Sequence, residues 1–351
     1  MDTPLSPKTL VIRADASSSM GTGHIMRCLA LAKAWRQAGG RAVFAVSTLT
    51  SSMRSKLESE TFEVISLKSL PPEDADETAA LCKKIDAMWL ILDGYHFDAD
   101  YQRRIKDAGL RLFLVDDHGS ADHYCADIVL NQNMYAHERF YVKREPYTRL
   151  LLGCSYALLR QEEFMKWKEW QRPLPGTARK VLITMGGIDE HNITMMVIEA
   201  LQRVAIDRVE AVAIVGGNNP HYDAIQSFVV GLSTPVRIVR NSTSMADLMA
   251  WADVAVSAGG STCWELAFMG LPSLVVITAD NQVAAVEAIA KEGAGVNLGW
   301  HHALNAPTIA EKLSGLMKDY ELRSHMSQFG QKLVDGLGCE RIISVLNCIG
   351  V

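Results

Sequence analysis

Histidine, glycine and two charged residues meet once in this 351-residue chain in a way that suggests proton transfer. Arg13-Ala14-Asp15 ends an apolar run, and Met20-Gly21-Thr22-Gly23-His24-Ile25-Met26-Arg27 follows it. Gly21 and Gly23 remove Cβ obstruction, so backbone can come close to a ligand. A helix starting there offers free N–H groups and a positive dipole end to an anion or a polarised sugar oxygen. The same field disfavours imidazolium, and a neutral imidazole near pH 7 can take a proton from water. His24 is therefore a candidate general base. The plainer reading is an N-cap histidine in an ordinary tight turn.

Three further clusters belong to the same half. Leu92-Asp93-Gly94-Tyr95-His96 places Asp93 and Tyr95 just after another apolar run. Tyr95 could hydrogen-bond a sugar or the reacting water; alternatively, Asp93 merely closes a turn. Asp116-Asp117-His118 holds the residue types of a divalent-cation site, although such clusters more often cap helices or pair with basic residues. Asp98-Ala99-Asp100 precedes the helical stretch Tyr101–Ala108 and reads as an acidic N-cap. No metal and no cofactor are expected.

The other half carries three glycine-rich or polar turns. Met185-Gly186-Gly187 can set bare amides against phosphate. Ser257-Ala258-Gly259-Gly260-Ser261-Thr262-Cys263-Trp264-Glu265 reads as strand end, glycine turn and helix start. Its amides and the hydroxyls of Ser261 and Thr262 suit a diphosphate, and Glu265 suits the two hydroxyls of a ribose. The competing reading is a capping box, in which Glu265 turns back to the backbone. Ala279-Asp280-Asn281-Gln282 could reach a sugar or its leaving phosphate, or could be an ordinary polar loop.

These clusters need a scaffold, and its rhythm is legible. Leu10–Ile12, Ala42–Val46, Trp89–Leu92, Leu112–Val115 and Ile128–Leu130 read as short buried strands separated by helical stretches. In the first helix Ile25, Cys28, Leu29, Ala32 and Trp35 recur at helical spacing, and Gly39-Gly40 stops it. After Arg172-Pro173-Leu174-Pro175-Gly176, the best linker candidate, the rhythm restarts. Val181–Thr184, Ala211–Val215, Val236–Arg240, Val254–Ser257 and Ser273–Ile277 read as strands. The fold expected is α/β, with two Rossmann-like domains, residues 1–172 and 173–351, facing each other across a cleft. The segment after about Asn305 reads as helical and without a motif.

Composition narrows the partners. Hydrophobic residues make up 48% and charged residues 21%, as in a folded protein. A net charge of −5 supplies no basic field for nucleic acid or an anionic membrane, so any phosphate must be bound locally. No apolar run is long enough to span a membrane, and the start MDTPLSPK does not read as a signal peptide. Seven cysteines without a CxxC read as reduced, mostly buried thiols of a cytoplasmic protein, with no structural zinc site expected.

Taken together, the motifs resemble the UDP-2,4-diacetamido-2,4,6-trideoxy-β-L-altropyranose hydrolase family of pseudaminic acid biosynthesis. That family is itself similar to GT-B nucleotide-sugar transferases of the MurG type. The matching stretches are RADASSSMGTGHIMRCLALA (13–32), LDGYHFD (92–98), DDHGSADHYCADIVLNQN (116–133), LLGCSYALLRQEEF (151–164), ITMGGIDEHN (183–192), MADLMAWADVAVSAGGSTCWELAFMGLP (245–272) and ADNQ (279–282). They fall in the family's order over about residues 9–300.

The resemblance implies that His24 positions or activates the attacking water, with Tyr95 and Asn281 serving the sugar and the catalytic step. It implies a diphosphate cradle at Gly259, Gly260, Ser261 and Thr262, and a ribose carboxylate at Glu265. The uridine base would meet backbone near Val239 and Arg240. Asp15, Gly21, Gly23, Arg27, Asp93, Gly186, Gly187 and Gln282 complete the expected substrate and UDP site, with Asp15 and Arg27 in support. The activity implied is metal-independent release of UDP with inversion, in nonulosonic acid supply such as flagellin glycosylation. A GT-B glycosyltransferase and a non-catalytic nucleotide-sugar binder are the alternatives, and the oligomeric state is left open, a monomer included. A Rossmann dehydrogenase fits less well, because Met26 stands where G-x-G-x-x-G needs its third glycine.

Overall fold

The computed structural model describes residues 8–348 except 18, 19, 218 and 243. The opening stretch read for a signal peptide lies mostly outside the described residues. The chain divides into two compact units, residues 1–161 with 337–351, and residues 162–336.

In the first unit, strands β1 (Thr9–Ala14), β2 (Arg41–Val46), β3 (Glu63–Ser66), β4 (Ala87–Asp93), β5 (Leu112–Val115), β6 (Ile128–Asn131) and β7 (Arg149–Leu152) alternate with helices. The helices are α1 (Gly23–Gln37), α2 (Ser51–Ser59), α3 (Ala75–Lys84) and α4 (Ala99–Asp107). The seven strands make an all-parallel sheet in the order β3-β2-β1-β4-β5-β6-β7. Parallel strands covered on both faces read as unbroken apolar runs, as Leu10-Val11-Ile12 does. Leu10, Ile12 and Ile91 pack with Ile25 and Leu29 of α1, while Val11, Leu90 and Leu92 pack with Ala79, Tyr101 and Ile105 on the other side. Asp98 caps α4 by accepting from Tyr101 N at 2.9 Å, the capping role read for the DAD triplet.

A short α5 (Gln161–Phe164) carries the chain into the second unit. There β8 (Lys180–Thr184), β9 (Glu210–Val215), β10 (Val236–Arg240), β11 (Val254–Ala258), β12 (Ser273–Ile277) and β13 (Val296–Trp300) form a second all-parallel sheet. Its order is β10-β9-β8-β11-β12-β13. Helices α6 (Ile193–Leu201), α7 (Tyr222–Phe228), α8 (Met245–Trp251), α9 (Thr262–Phe268), α10 (Val283–Lys291), α11 (Ala306–Lys318) and α12 (Tyr320–Leu333) join them. Val181, Ile183, Val254 and Val256 pack with Val197, Leu201 and Leu313. The class is α/β with two Rossmann-like halves, as the sequence suggested. No helix among the described residues is long and apolar enough to cross a membrane.

The division differs from the expected one in two ways. The segment at Arg172–Gly176 is built into the second unit instead of linking the two. Arg172 is buried and donates to the carbonyls of Met249, Ala252 and Met269 at 2.6–3.0 Å, around the carboxyl ends of α8 and α9, where helix dipoles favour a cation. Arg323 donates to the carbonyls of Pro175 and Gly176, each at 2.8 Å. The last helix, α13 (Gly338–Cys348), returns to the first unit, where Ile342, Val345 and Leu346 join the core beside α1. Trp89 Nε1 donates to the Leu346 carbonyl at 3.2 Å.

Candidate active site

In each sheet the strand order reverses at one place, between β1 and β4 and between β8 and β11. Open α/β sheets bind ligands outside the carboxyl ends of their strands at such a switch point. Most of the singled-out residues lie at these two positions.

In the first unit, β1 pairs with β4 so that Ala14 lies opposite Asp93. The chain leaving β1 closes a small turn, with Gly21 N donating to the Ser17 carbonyl at 3.0 Å. Gly21 has φ +76°, a left-handed conformation that favours glycine. Helix α1 then starts at Gly23, with Thr22 as its N-cap residue. His24 is thus inside the first turn and is not the cap. Its ring is 7% exposed, and Nδ1 lies 2.6 Å from Asp93 Oδ1. A carboxylate only accepts, so Nδ1 carries the proton and Nε2 is left as the basic nitrogen. Nε2 makes no hydrogen bond among the described residues. Tyr95, 54% exposed, sets its ring edge-on to His24 at a centroid distance of 4.9 Å and against His118 at 5.2 Å.

A buried ionic network fixes the dyad. Arg27 donates to Asp93 through Nε and Nη2, each at 2.7 Å, and grips both Asp117 oxygens through Nη1 at 2.9 and 2.8 Å. Asn133 Nδ2 adds a bond to Asp117 Oδ1 at 2.9 Å, and Tyr135 donates to the Asp117 carbonyl at 2.7 Å. Burial alone would push the Asp93 carboxyl up, but Arg27 and His24 outweigh it and hold it well below the usual carboxylate range. Burial would likewise lower the Arg27 guanidinium, yet Asp117 and Asp93 keep it raised.

Asp93, expected among the substrate-binding residues, is fully buried with both oxygens engaged. Its carboxylate is taken up by His24, Arg27 and Cys28. Arg27 and Asp15 are also buried; Asp15 accepts from Arg13 and from the amides of Ser47 and Thr48 at 2.8–2.9 Å. The Asp116-Asp117-His118 cluster is used internally, since Asp116 accepts from Tyr124 Oη at 2.6 Å and from the amides of His118 and Gly119.

In the second unit, β8 ends beside β11, with Thr184 opposite Ser257. After β8, Gly186 takes φ +82°. A Cβ on Gly216, which follows β9, would overlap the Gly187 carbonyl, so two turns meet there in a way only glycine permits. After β11, Gly259 packs against Val286 and Gln282, whereas Gly260 faces open space. The amides of Gly260, Ser261 and Thr262 find no acceptor among the described residues. Ser261 occupies the N-cap position of α9 without a side-chain capping bond, so the serine half of the competing capping box is absent. Glu265 lies in the first turn of α9.

Asn281 sits in a 3-10 turn after β12. Gln282, expected to bind substrate, spends its carbonyl oxygen on Thr278 N and Oγ1 at 2.9 and 3.1 Å and so closes its own loop. Val239 and Arg240 end β10, where Arg240 donates to the Gly217 carbonyl at 3.2 Å and lies over the Tyr222 ring. Sequence reasoning had Arg27 in support and the Asp117 cluster pairing with basic residues, as it does with Arg27, but it did not join the two and missed Asn133 and Gly216-Gly217. The stretch VGGNNP, directly after a strand, was the available signal for the second.

Two parallel Rossmann-type units define an α/β protein of the GT-B class. Residues 181–336 match the glycosyltransferase family 28 C-terminal domain. The chain is 28% identical to spore coat polysaccharide biosynthesis protein SpsG of Bacillus subtilis, over 95% of this chain and 96% of that one. It is 27% identical to UDP-2,4-diacetamido-2,4,6-trideoxy-β-L-altropyranose hydrolase of Campylobacter jejuni, over 81% and 97% of the two chains. The resemblance drawn from the motifs therefore holds along most of the sequence. MurG of Acinetobacter baumannii shares the fold with a TM-score of 0.69 at 14% identity, covering 97% of this chain and 99% of that one. UGT2 of Phytolacca americana, solved with UDP-2fluoro-glucose and pterostilbene, gives 0.68 at 11% identity, covering 98% and 99%.

Proposed function

We propose that this chain hydrolyses a UDP-linked 2,4-diacetamido-2,4,6-trideoxyhexose, the β-L-altropyranose, to free sugar and UDP. The observation that carries the reading is the His24–Asp93 pair at the β1/β4 switch point. A ring held at Nδ1 by a buried carboxylate has Nε2 available to take a proton from water, the same division of labour as in other carboxylate-oriented histidines.

In the proposed step, a water oxygen bonds to the anomeric carbon as His24 Nε2 takes its proton. The bond from that carbon to the diphosphate oxygen breaks, and its electron pair leaves with UDP. Attack from the face opposite the leaving group inverts the anomeric centre. Negative charge gathers on the diphosphate, and the unpaired amides of Gly260, Ser261 and Thr262 supply donors suited to it. Glu265 would hold the ribose, and Tyr95 and Asn281 would contact the sugar. The similarity to a UDP-sugar hydrolase over 81% of the chain, and the UDP-sugar bound in a solved GT-B neighbour, support this assignment.

The glycosyltransferase match of residues 181–336 favours a second reading, in which an acceptor hydroxyl replaces water. Reaction in heavy-oxygen water separates the two. Hydrolysis should place the label on the sugar's anomeric oxygen and leave UDP unlabelled. Label in UDP would overturn C–O cleavage, and turnover only with an added acceptor would establish transfer.

A further inference from the structure

Away from the switch point, the segments before and after β6 place three different donor groups together. His123, Cys125 and Glu145 each present one ligand atom, and these atoms lie within 4.8 Å of one another. Backbone pairing creates the arrangement. Tyr124 N donates to the Lys143 carbonyl at 2.9 Å, and Glu145 N donates to the Tyr124 carbonyl at 3.0 Å, so residues 123–125 run extended beside 143–145. In extended chain, side chains two apart share a face. His123 and Cys125 therefore fall together on the side opposite Tyr124, and the neighbouring strand delivers Glu145 to them.

His123 Nε2 and Glu145 Oε1 are already 3.0 Å apart, and both side chains are 37% exposed, so an ion can reach them. The Cys125 thiol makes no hydrogen bond among the described residues. A tetrahedral ion with bonds of about 2.0–2.3 Å needs donors about 3.3–3.8 Å apart, a closure that side-chain rotation supplies. One imidazole, one thiolate and one carboxylate form a set that suits zinc or cobalt and leaves a fourth position for water. Calcium and magnesium would prefer oxygen alone.

We propose that His123, Cys125 and Glu145 form a zinc-type metal site that clips the 118–148 excursion together. Binding replaces the Cys125 S–H bond with a metal–sulfur bond and releases the proton to solvent. Tyr124, between the two ligands, donates to Asp116, whose neighbour Asp117 holds Arg27. The clip would therefore brace the platform behind His24 without entering the reaction.

The test uses the full-length, metal-stripped protein titrated with cobalt(II). One equivalent should produce a thiolate-to-cobalt charge-transfer band. Cys125→Ser should lose that band, whereas Cys348→Ser, which removes the exposed cysteine, should keep it. His123→Ala and Glu145→Ala should each weaken cobalt binding by at least about tenfold. Zinc should raise the thermal midpoint of the wild type and leave that of Cys125→Ser unchanged. Absence of the band in the wild type, or its survival in Cys125→Ser, would overturn the site. Neither readout depends on the sugar-nucleotide reaction, so failure here leaves the proposed function standing.

Discussion

His24 Nδ1 and Asp93 Oδ1, from α1 and β4, lie 2.6 Å apart beneath a site that the first sheet opens at its strand reversal. This contact decides which ring nitrogen is protonated and fixes the ring's direction. On the hydrolytic reading, His24→Gln should lower kcat by about 10²- to 10⁴-fold while leaving UDP affinity unchanged. Asp93→Asn should lower kcat as well, because an amide in place of the carboxylate can donate to Nδ1 and favour the other tautomer. Steady-state kinetics with calorimetric UDP titration would measure both, and an unchanged kcat in either variant would remove the dyad from the reaction.

Arg27 neutralises two buried carboxylates at once. Arg27→Met leaves Asp93 and Asp117 without their shared cation and should cost about 3–5 kcal/mol of stability. Arg27→Lys keeps the charge but not the fork that serves both partners, so its loss should be smaller but clear. Urea midpoints at unchanged slope report both values.

Asp93 also predicts an acid limb. Its folded-state pKa is depressed, so the stabilisation is fully present above the unfolded carboxylate value near 4 and is lost as pH falls toward the folded value. Stability measured by urea unfolding should therefore fall below about pH 4. The fall should be shallower in Asp93→Asn, which has no proton to take up there.

Two glycines of the second unit should respond in opposite ways. At Gly260 a methyl group meets nothing, so Gly260→Ala should leave stability nearly unchanged and weaken UDP binding by intruding on the open amides. At Gly216 the methyl meets backbone, so Gly216→Ala should lower the thermal midpoint. Glu265→Ala should reduce UDP affinity by about 1.5–3 kcal/mol, roughly 10- to 150-fold, with the fold intact. Calorimetry and thermal unfolding together separate the three.

The central strands were legible because burial on both faces makes them continuously apolar. Of the edge strands only Val236–Arg240 was read. Glu63–Ser66 and Arg149–Leu152 flank the first sheet with polar residues, and Val296–Trp300 carries Asn297 and Gly299. The candidate site was legible as a set of turns, since glycine and histidine beside strand ends are local signals. The partners of Arg27 were not, because Asp93 and Asp117 lie 66 and 90 residues from it. The proline-rich stretch near residue 173 suggested a linker, but a buried arginine donating to three carbonyls outweighs that local signal.

The return of α13 makes residues 162–336 an insertion within a discontinuous first unit. Cutting the chain after residue 161 would strip Ile342, Val345 and Leu346 from the core and leave the Trp89 indole without its acceptor. The two severed ends are close, since a Cβ on Gly338 would overlap the Ala157 carbonyl. A short peptide joining residue 161 to residue 337 would therefore close the first unit on itself, and the His24–Asp93 pair could be titrated in it without residues 162–336.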